Sequence, residues 1–122
     1  MKRFSLLFSF FVLVAATSVS AQEKFARDVI KTNAGDLEIT FVGHGTLMLT
    51  FAEKVIHIDP WSRLADYSKM PKADMILITH GHRDHLDLKA VESIRTEKTQ
   101  VVLTENCASR RSEEHTSELQ SR

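Results

Sequence analysis

From Leu37 onward, apolar and polar residues alternate with a period of two. Leu37, Ile39 and Phe41 are separated by Glu38 and Thr40, the pattern of a strand with one buried face. The sequence "GHG" at 43–45 interrupts the alternation, which resumes with Leu47, Leu49 and Phe51 on one face of a second strand. A short turn at "AEK" leads into "VIHID" at 55–59, a third strand that stops at Pro60. Together these segments predict an antiparallel meander. Upstream, residues 22–35 are polar and end in the loop signal "TNAGD", so they read as a leader strand or a turn of helix.

The pattern then changes. Residues 61–72 form a connecting segment with room for one helical turn, closed by Pro71. "ADMILITH" at 73–80 is an almost continuous apolar run of strand length, which predicts a strand buried on both faces. Asp87 is placed to cap a helix in which Leu88, Val91 and Ile94 recur at spacing three and make one apolar stripe. "TQVVLTE" at 99–105 reads as a further apolar strand. Strand, loop, helix and strand in this order predict a β-α-β unit added to the meander, hence an α/β domain with a mixed sheet.

Composition narrows the possibilities. The chain has 122 residues, 16 Lys+Arg against 16 Asp+Glu, and 43% apolar residues, enough for at most one small soluble domain. The charges are mixed along the sequence with no basic cluster, so nucleic acid is not an expected partner. Cys107 is the single cysteine, which excludes an internal disulfide and any cysteine-only zinc cluster.

Both ends call for separate treatment. Lys2 and Arg3 precede an apolar run from Phe4 to Ala16, and Val19-Ser20-Ala21 forms a small-residue cleavage site before Gln22. Residues 1–21 therefore read as a bacterial secretory signal peptide, and the expected location is the periplasm or the exterior. The apolar run falls short of the roughly 20 residues needed to span a bilayer, and no cysteine follows the cleavage site for a lipid anchor, so no stable membrane anchor is expected. At the other end, residues 111–122, "RSEEHTSELQSR", have no apolar periodicity and resemble a common sequencing adapter translated in one frame. The expectation is an artefactual tail, in which His115 carries no meaning, and a native segment at 22–110.

The chemistry concentrates in "THGHRDHLD" at 79–87, directly after the apolar strand. His80, His82, Asp84 and His85 have the spacing His-x-His-x-Asp-His, and alternate residues on an extended turn point the same way. His80 and His82 can therefore reach one metal ion while Asp84 and His85 turn toward a second position. Imidazole and carboxylate donors suit Zn²⁺ and also Mn or Fe. Gly81 allows the backbone a close approach or a positive φ.

This motif resembles that of the metallo-β-lactamase-fold superfamily of metal-dependent hydrolases. "GHGTLMLTF", "VIHIDPW" and "MILITHGHRDHLD" resemble, in order, the early strands of its ascorbate-6-phosphate lactonase-like branch, over about residues 36 to 108. The resemblance implies the N-terminal half of a four-layer αββα sandwich. It implies two metal ions, zinc first among the candidates, the first on His80 and His82 and the second on Asp84 and His85. A hydroxide bridging them would attack a lactone, ester, amide or phosphodiester of a small-molecule substrate, with Asp84 as the catalytic residue that orients the water. Asp59 matches a family aspartate beside the loop, and His44 a position at the active-site mouth.

Other candidates read as structural: His57 as packed or hydrogen-bonded within its strand, Cys107 as a small buried apolar residue, and Trp61 as a packing residue that can also line a groove. The ligands that relatives draw from the second half of their fold are absent here. The expectation is an inactive portion of an exported hydrolase, whose open apolar sheet face leaves it prone to aggregate and weak in metal binding. The alternatives are a non-catalytic metal-binding or interaction module, or a truncated product without function.

Overall fold

The computed structural model describes residues 25–109. The leader expected at 1–21 and the tail expected at 111–122 lie outside the described residues. Six strands form one sheet in sequence order: β1 (Ala26–Thr32), β2 (Gly35–Gly43), β3 (Thr46–Phe51), β4 (Lys54–Ile58), β5 (Met75–Ile78) and β6 (Gln100–Leu103). The first four are an antiparallel meander, and β4, β5 and β6 run parallel. A 3₁₀ turn, Tyr67–Lys69, lies between β4 and β5, and helix α1, Leu88–Ile94, connects β5 to β6. This is the mixed α/β sheet expected from the periodicity. The segment left open between strand and helix is β1, which pairs along its whole length with β2.

The tight turn between β3 and β4 is formed by Ala52 and Glu53, with φ of 47° and 64°. Left-handed backbone at both central positions matches the twist of a two-residue hairpin. Neither residue advertises that geometry, because glycine or asparagine is its usual marker.

Strand pairing sorts the sheet into two unlike faces. On one, the register aligns Thr40, Met48, His57, Ile76 and Val101 in a row across β2 to β6. The hydrophobic core lies on this side, where Ala90, Val91 and Ile94 of α1 pack with Ile76, Ile78 and Tyr67. Asp87 caps the helix by accepting from the Ala90 amide at 3.2 Å. It also accepts from the Ser62 amide at 2.8 Å and hydroxyl at 2.6 Å, which ties the helix start to the connection after β4.

The other face carries two apolar rows: Ile39, Leu49, Ile56 and Met75, then Phe41, Leu47, Ile58, Leu77 and Val102. None of these residues is buried, and Phe41 and Val102 are 42% and 51% exposed. This corrects the expectation that the apolar run of β5 is covered on both sides. Ile76 and Ile78 are buried, whereas Met75 and Leu77 are only half-buried. No second layer covers their face among the described residues.

His57 is fully buried, as expected of a packed strand residue. Its Nε2–H donates to the Pro71 carbonyl at 3.0 Å, and its ring lies 6.0 Å from that of Tyr67. Nδ1 has no hydrogen-bond partner. A second ring proton would therefore be buried without an acceptor, and burial holds the His57 pKa below its ordinary 6.5. The unfolded chain takes up that proton near pH 6.5 and the folded chain only below it. The stabilising contribution is thus complete above pH 6.5 and is lost as pH falls from there toward the folded pKa. We expect urea-unfolding free energy to decline through this window in the parent chain and to be flatter in His57→Phe. Equal slopes would show that His57 is not the group responsible.

Candidate metal centre

Three segments distant in sequence meet at one edge of the sheet. Because β4 and β5 are parallel, their C-terminal ends lie side by side, and the Asp59 amide donates to the Leu77 carbonyl at 2.9 Å. The β2–β3 turn reaches the same edge, since Leu47 at the start of β3 pairs with Ile58 at the end of β4. Ligand sites in sheets with parallel strands characteristically form at such C-terminal ends.

Asp59 organises the edge. It is 2% exposed, with φ of 47°, in the left-handed region that non-glycine residues seldom occupy. Its Oδ1 accepts from the Thr79 amide at 2.8 Å, and its Oδ2 accepts from the Thr79 hydroxyl at 2.6 Å and from His85 Nδ1 at 2.7 Å. A buried carboxylate is tolerable only with this degree of hydrogen bonding. The Thr46 hydroxyl donates to the Asp59 carbonyl at 2.7 Å, which fixes the backbone as well.

These bonds assign the histidine tautomers. His85 donates through Nδ1–H, so its Nε2 is the free ligand atom. The Thr79 hydroxyl has already given its proton to Asp59, so at 2.9 Å from His80 Nδ1 it accepts, and His80 also presents Nε2. A carboxylate or hydroxyl on one ring nitrogen, with the other left for metal, is the usual outer shell of a histidine ligand.

The loop itself turns tightly, with the amides of His85 and Leu86 both donating to the His82 carbonyl at 2.9 and 2.7 Å. Buried Leu86 anchors it to the core. The His80 ring lies 3.9 Å from that of His85 and 4.6 Å, edge-on, from that of His82. Asp84 Oδ2 accepts from His44 Nε2 at 2.8 Å and lies 3.5 Å from His85 Nε2. The hydrogen bond from His44 holds the Asp84 carboxyl below the usual carboxylate range.

Two groups of potential ligand atoms result, each with all its atoms within 4.8 Å of one another: Asp59, His80 and His85, and His44, Asp84 and His85. The donors are imidazole and carboxylate throughout, a set that fits zinc, manganese or iron. Among the candidates from the sequence, Asp59, His80, His85, Asp84 and His44 come together directly. Exposed His82 belongs to neither group but touches the centre through His80. Trp61 packs beside His44, with ring centroids 5.5 Å apart. His57 and Cys107 lie away in the core, where Cys107 Sγ accepts from the Thr104 hydroxyl at 3.1 Å. Sequence reasoning passed over Thr79 and Ser62. Thr79 carried a visible signal, a hydroxyl residue immediately before the first histidine, whereas the Ser62 contact with Asp87 spans 25 positions and had none.

Residues 38–117 match the family model described as the beta-lactamase superfamily domain. The chain belongs to that superfamily. Among curated relatives it is 40% identical over 76 residues to a UPF0173 metal-dependent hydrolase of Anaeromyxobacter sp. strain K, covering 55% of this chain and 24% of that protein. It is 42% identical over 57 residues to a UPF0173 metal-dependent hydrolase of Methanosarcina mazei, covering 42% of this chain and 24% of that one. A crystal structure from Parabacteroides distasonis, named provisionally as a metal-dependent hydrolase, superposes with a TM-score of 0.69 at 46% identity, covering 71% of this chain and 40% of that one. The chain thus spans about a quarter of the length of these curated relatives.

The outer shell makes a direct prediction. Asp59→Asn keeps the size of the side chain but replaces one carboxylate oxygen with a donor, which cannot accept from both Thr79 and His85. Zinc affinity, measured by chelator competition, is expected to fall about 10- to 100-fold. Unchanged affinity would remove Asp59 from any supporting role.

Proposed function

We propose that this chain is the metal-binding portion of an exported metal-dependent hydrolase of the lactonase-like branch, acting on a lactone, ester, amide or phosphodiester. The observation that carries the reading is the Asp59–Thr79 network, which engages Nδ1 of His80 and His85 and leaves Nε2 of each ring for a metal ion. A family whose named relatives are metal-dependent hydrolases supports it. Zinc suits the all-nitrogen-and-oxygen donor set, with manganese or iron as the other options.

A divalent ion held there supplies Lewis acidity, lowering the pKa of water and polarising the bond under attack. The protein's own contributions are positional. His80 and His82 serve the first position, and Asp84 and His85 the second. Asp84, whose carboxyl is held below the usual range by its bond with His44, is placed to orient the attacking water. Asp59 and Thr79 hold the imidazoles without touching substrate. Because the chain spans 24% of its curated relatives, turnover is proposed for the longer protein and not for this portion alone.

The deciding assay uses the longer protein on lactone, ester, amide and phosphodiester substrates, with and without a chelator. Turnover lost on chelation and restored by zinc is expected, and the double change His80→Ala, His82→Ala should lower kcat/KM at least about 100-fold, the upper end of what an outer-shell partner is worth. Zinc binding with no turnover on any of the four classes would favour the non-catalytic module instead.

Export has its own check. Protein recovered from the periplasm of an expressing bacterium should begin at Gln22. Retention of Met1 in a cytoplasmic product would refute the leader reading.

A further inference from the structure

We propose that His44, Asp84 and His85 form a divalent-cation site in which His44 is a metal ligand, supplied by the β2–β3 turn and not by the His-x-His-x-Asp-His loop. The inference rests on the metal-binding reading above and extends it to a residue outside the motif.

The argument begins at His85. Its Nδ1–H is given to Asp59, which leaves Nε2 as the ring atom available to a metal ion. Nε2 lies 3.5 Å from Asp84 Oδ2, beyond the range of a good hydrogen bond. An imidazole nitrogen and a carboxylate oxygen that converge in this way make a donor pair suited to a divalent cation. His44 satisfies one side of the same oxygen, its Nε2 at 2.8 Å. His44, Asp84 and His85 each offer one ligand atom, and these atoms all lie within 4.8 Å of one another.

The spacing fits a small cation. Donors about 2.0–2.1 Å from a tetrahedral ion stand roughly 3.3 Å apart. The separations of 2.8 and 3.5 Å fall on either side of that value, so an ion enters by widening one contact and slightly closing the other. When it does, the His44 proton moves from Nε2 to Nδ1, and the hydrogen bond to Asp84 becomes a shared metal contact.

Backbone geometry holds His44 in place. It has φ of 53° and follows Gly43 at 131°, so the turn runs through left-handed conformations at both positions. Such strain in a non-glycine residue persists where surrounding structure imposes it, and it gathers at functional sites. Gly45 supplies the second constraint. A Cβ there would come 3.2 Å from His85 Cε1, so the turn lies directly against the ring whose other side is bound to Asp59. The Trp61 ring packs against that of His44, with centroids 5.5 Å apart. The three donors are therefore prepositioned by β2–β3, by the loop and by the end of β4.

The test uses the 122-residue chain labelled with ¹⁵N-histidine and titrated with Zn²⁺ at neutral pH, with affinities from chelator competition in the parent, His44→Ala, His44→Gln and His82→Ala. The expected result is that both His44 variants weaken the tightest zinc site at least about 10- to 100-fold. In the parent, His44 Nε2 should shift to a metal-bound position while Nδ1 becomes protonated. If zinc binding is lost in His82→Ala but unchanged in both His44 variants, the proposal fails while the metal-centre reading stands. If the parent binds no zinc even at millimolar concentration, both fail. Should a variant not fold, the parent spectrum decides alone, and His44 resonances that stay in place at saturation overturn the proposal.

Discussion

The buried carboxylate of Asp59 is the constraint on which the rest of the centre depends. Its side chain accepts three hydrogen bonds, its carbonyl accepts a fourth and its amide donates a fifth, and the partners belong to β3, β5 and the histidine loop. Burying an anion costs several kcal/mol unless hydrogen bonds replace its hydration. Each replacement here also performs a second task. The bond from His85 selects a tautomer, the bond from Thr79 passes that selection to His80, and the bond from Thr46 holds the strand end in a left-handed conformation. Desolvation and preorganisation are thus met by one set of contacts, and removing any partner would disturb the others.

Fold topology explains why this hub sits where it does. An antiparallel meander alone would place strand starts and ends alternately at each edge. The switch to parallel pairing at β4 and β5 brings two strand ends together, with Asp59 leaving one and Thr79 the other. The preceding hairpin adds the "GHG" turn to the same edge. Helix α1 then begins immediately after the loop and covers only one face of the sheet, so the centre stands at the rim between a packed face and an open apolar one. A second layer lying on the open face would meet the loop from its uncovered side.

Much of the architecture was legible because it follows local periodicity. Alternation at Leu37 to Phe51 and the spacing of Leu88, Val91 and Ile94 gave the meander and the helix with small shifts of boundary. The covering of β5 was misjudged for a physical reason: a continuous apolar run states that both faces avoid water, but not whether the same stretch of chain supplies both layers. Within the site, the clustered loop announced its chemistry through spacing, whereas the contacts that orient it span long separations. His85 with Asp59 is 26 positions apart, and His44 with Asp84 is 40. Nothing local distinguishes those residues from ordinary turn residues. The left-handed backbone at Ala52, Glu53, His44 and Asp59 was equally invisible, because none is a glycine.

The division between local ligands and distant supports has a consequence for how the centre forms. A loop carrying four donors in six positions can gather around an ion while the chain is still unfolded, since no long closure is required. Such an early complex would leave both tautomers of each imidazole available, and metal bound to Nδ1 would block the contacts with Asp59 and Thr79. Once the sheet has formed, those contacts occupy Nδ1 of His80 and His85 and leave Nε2 as the only free donor. Folding before metal binding therefore yields one ligation pattern where binding first yields several. The burial of Asp59 and its hydrogen bonds to Thr79 and His85 are what would enforce this order.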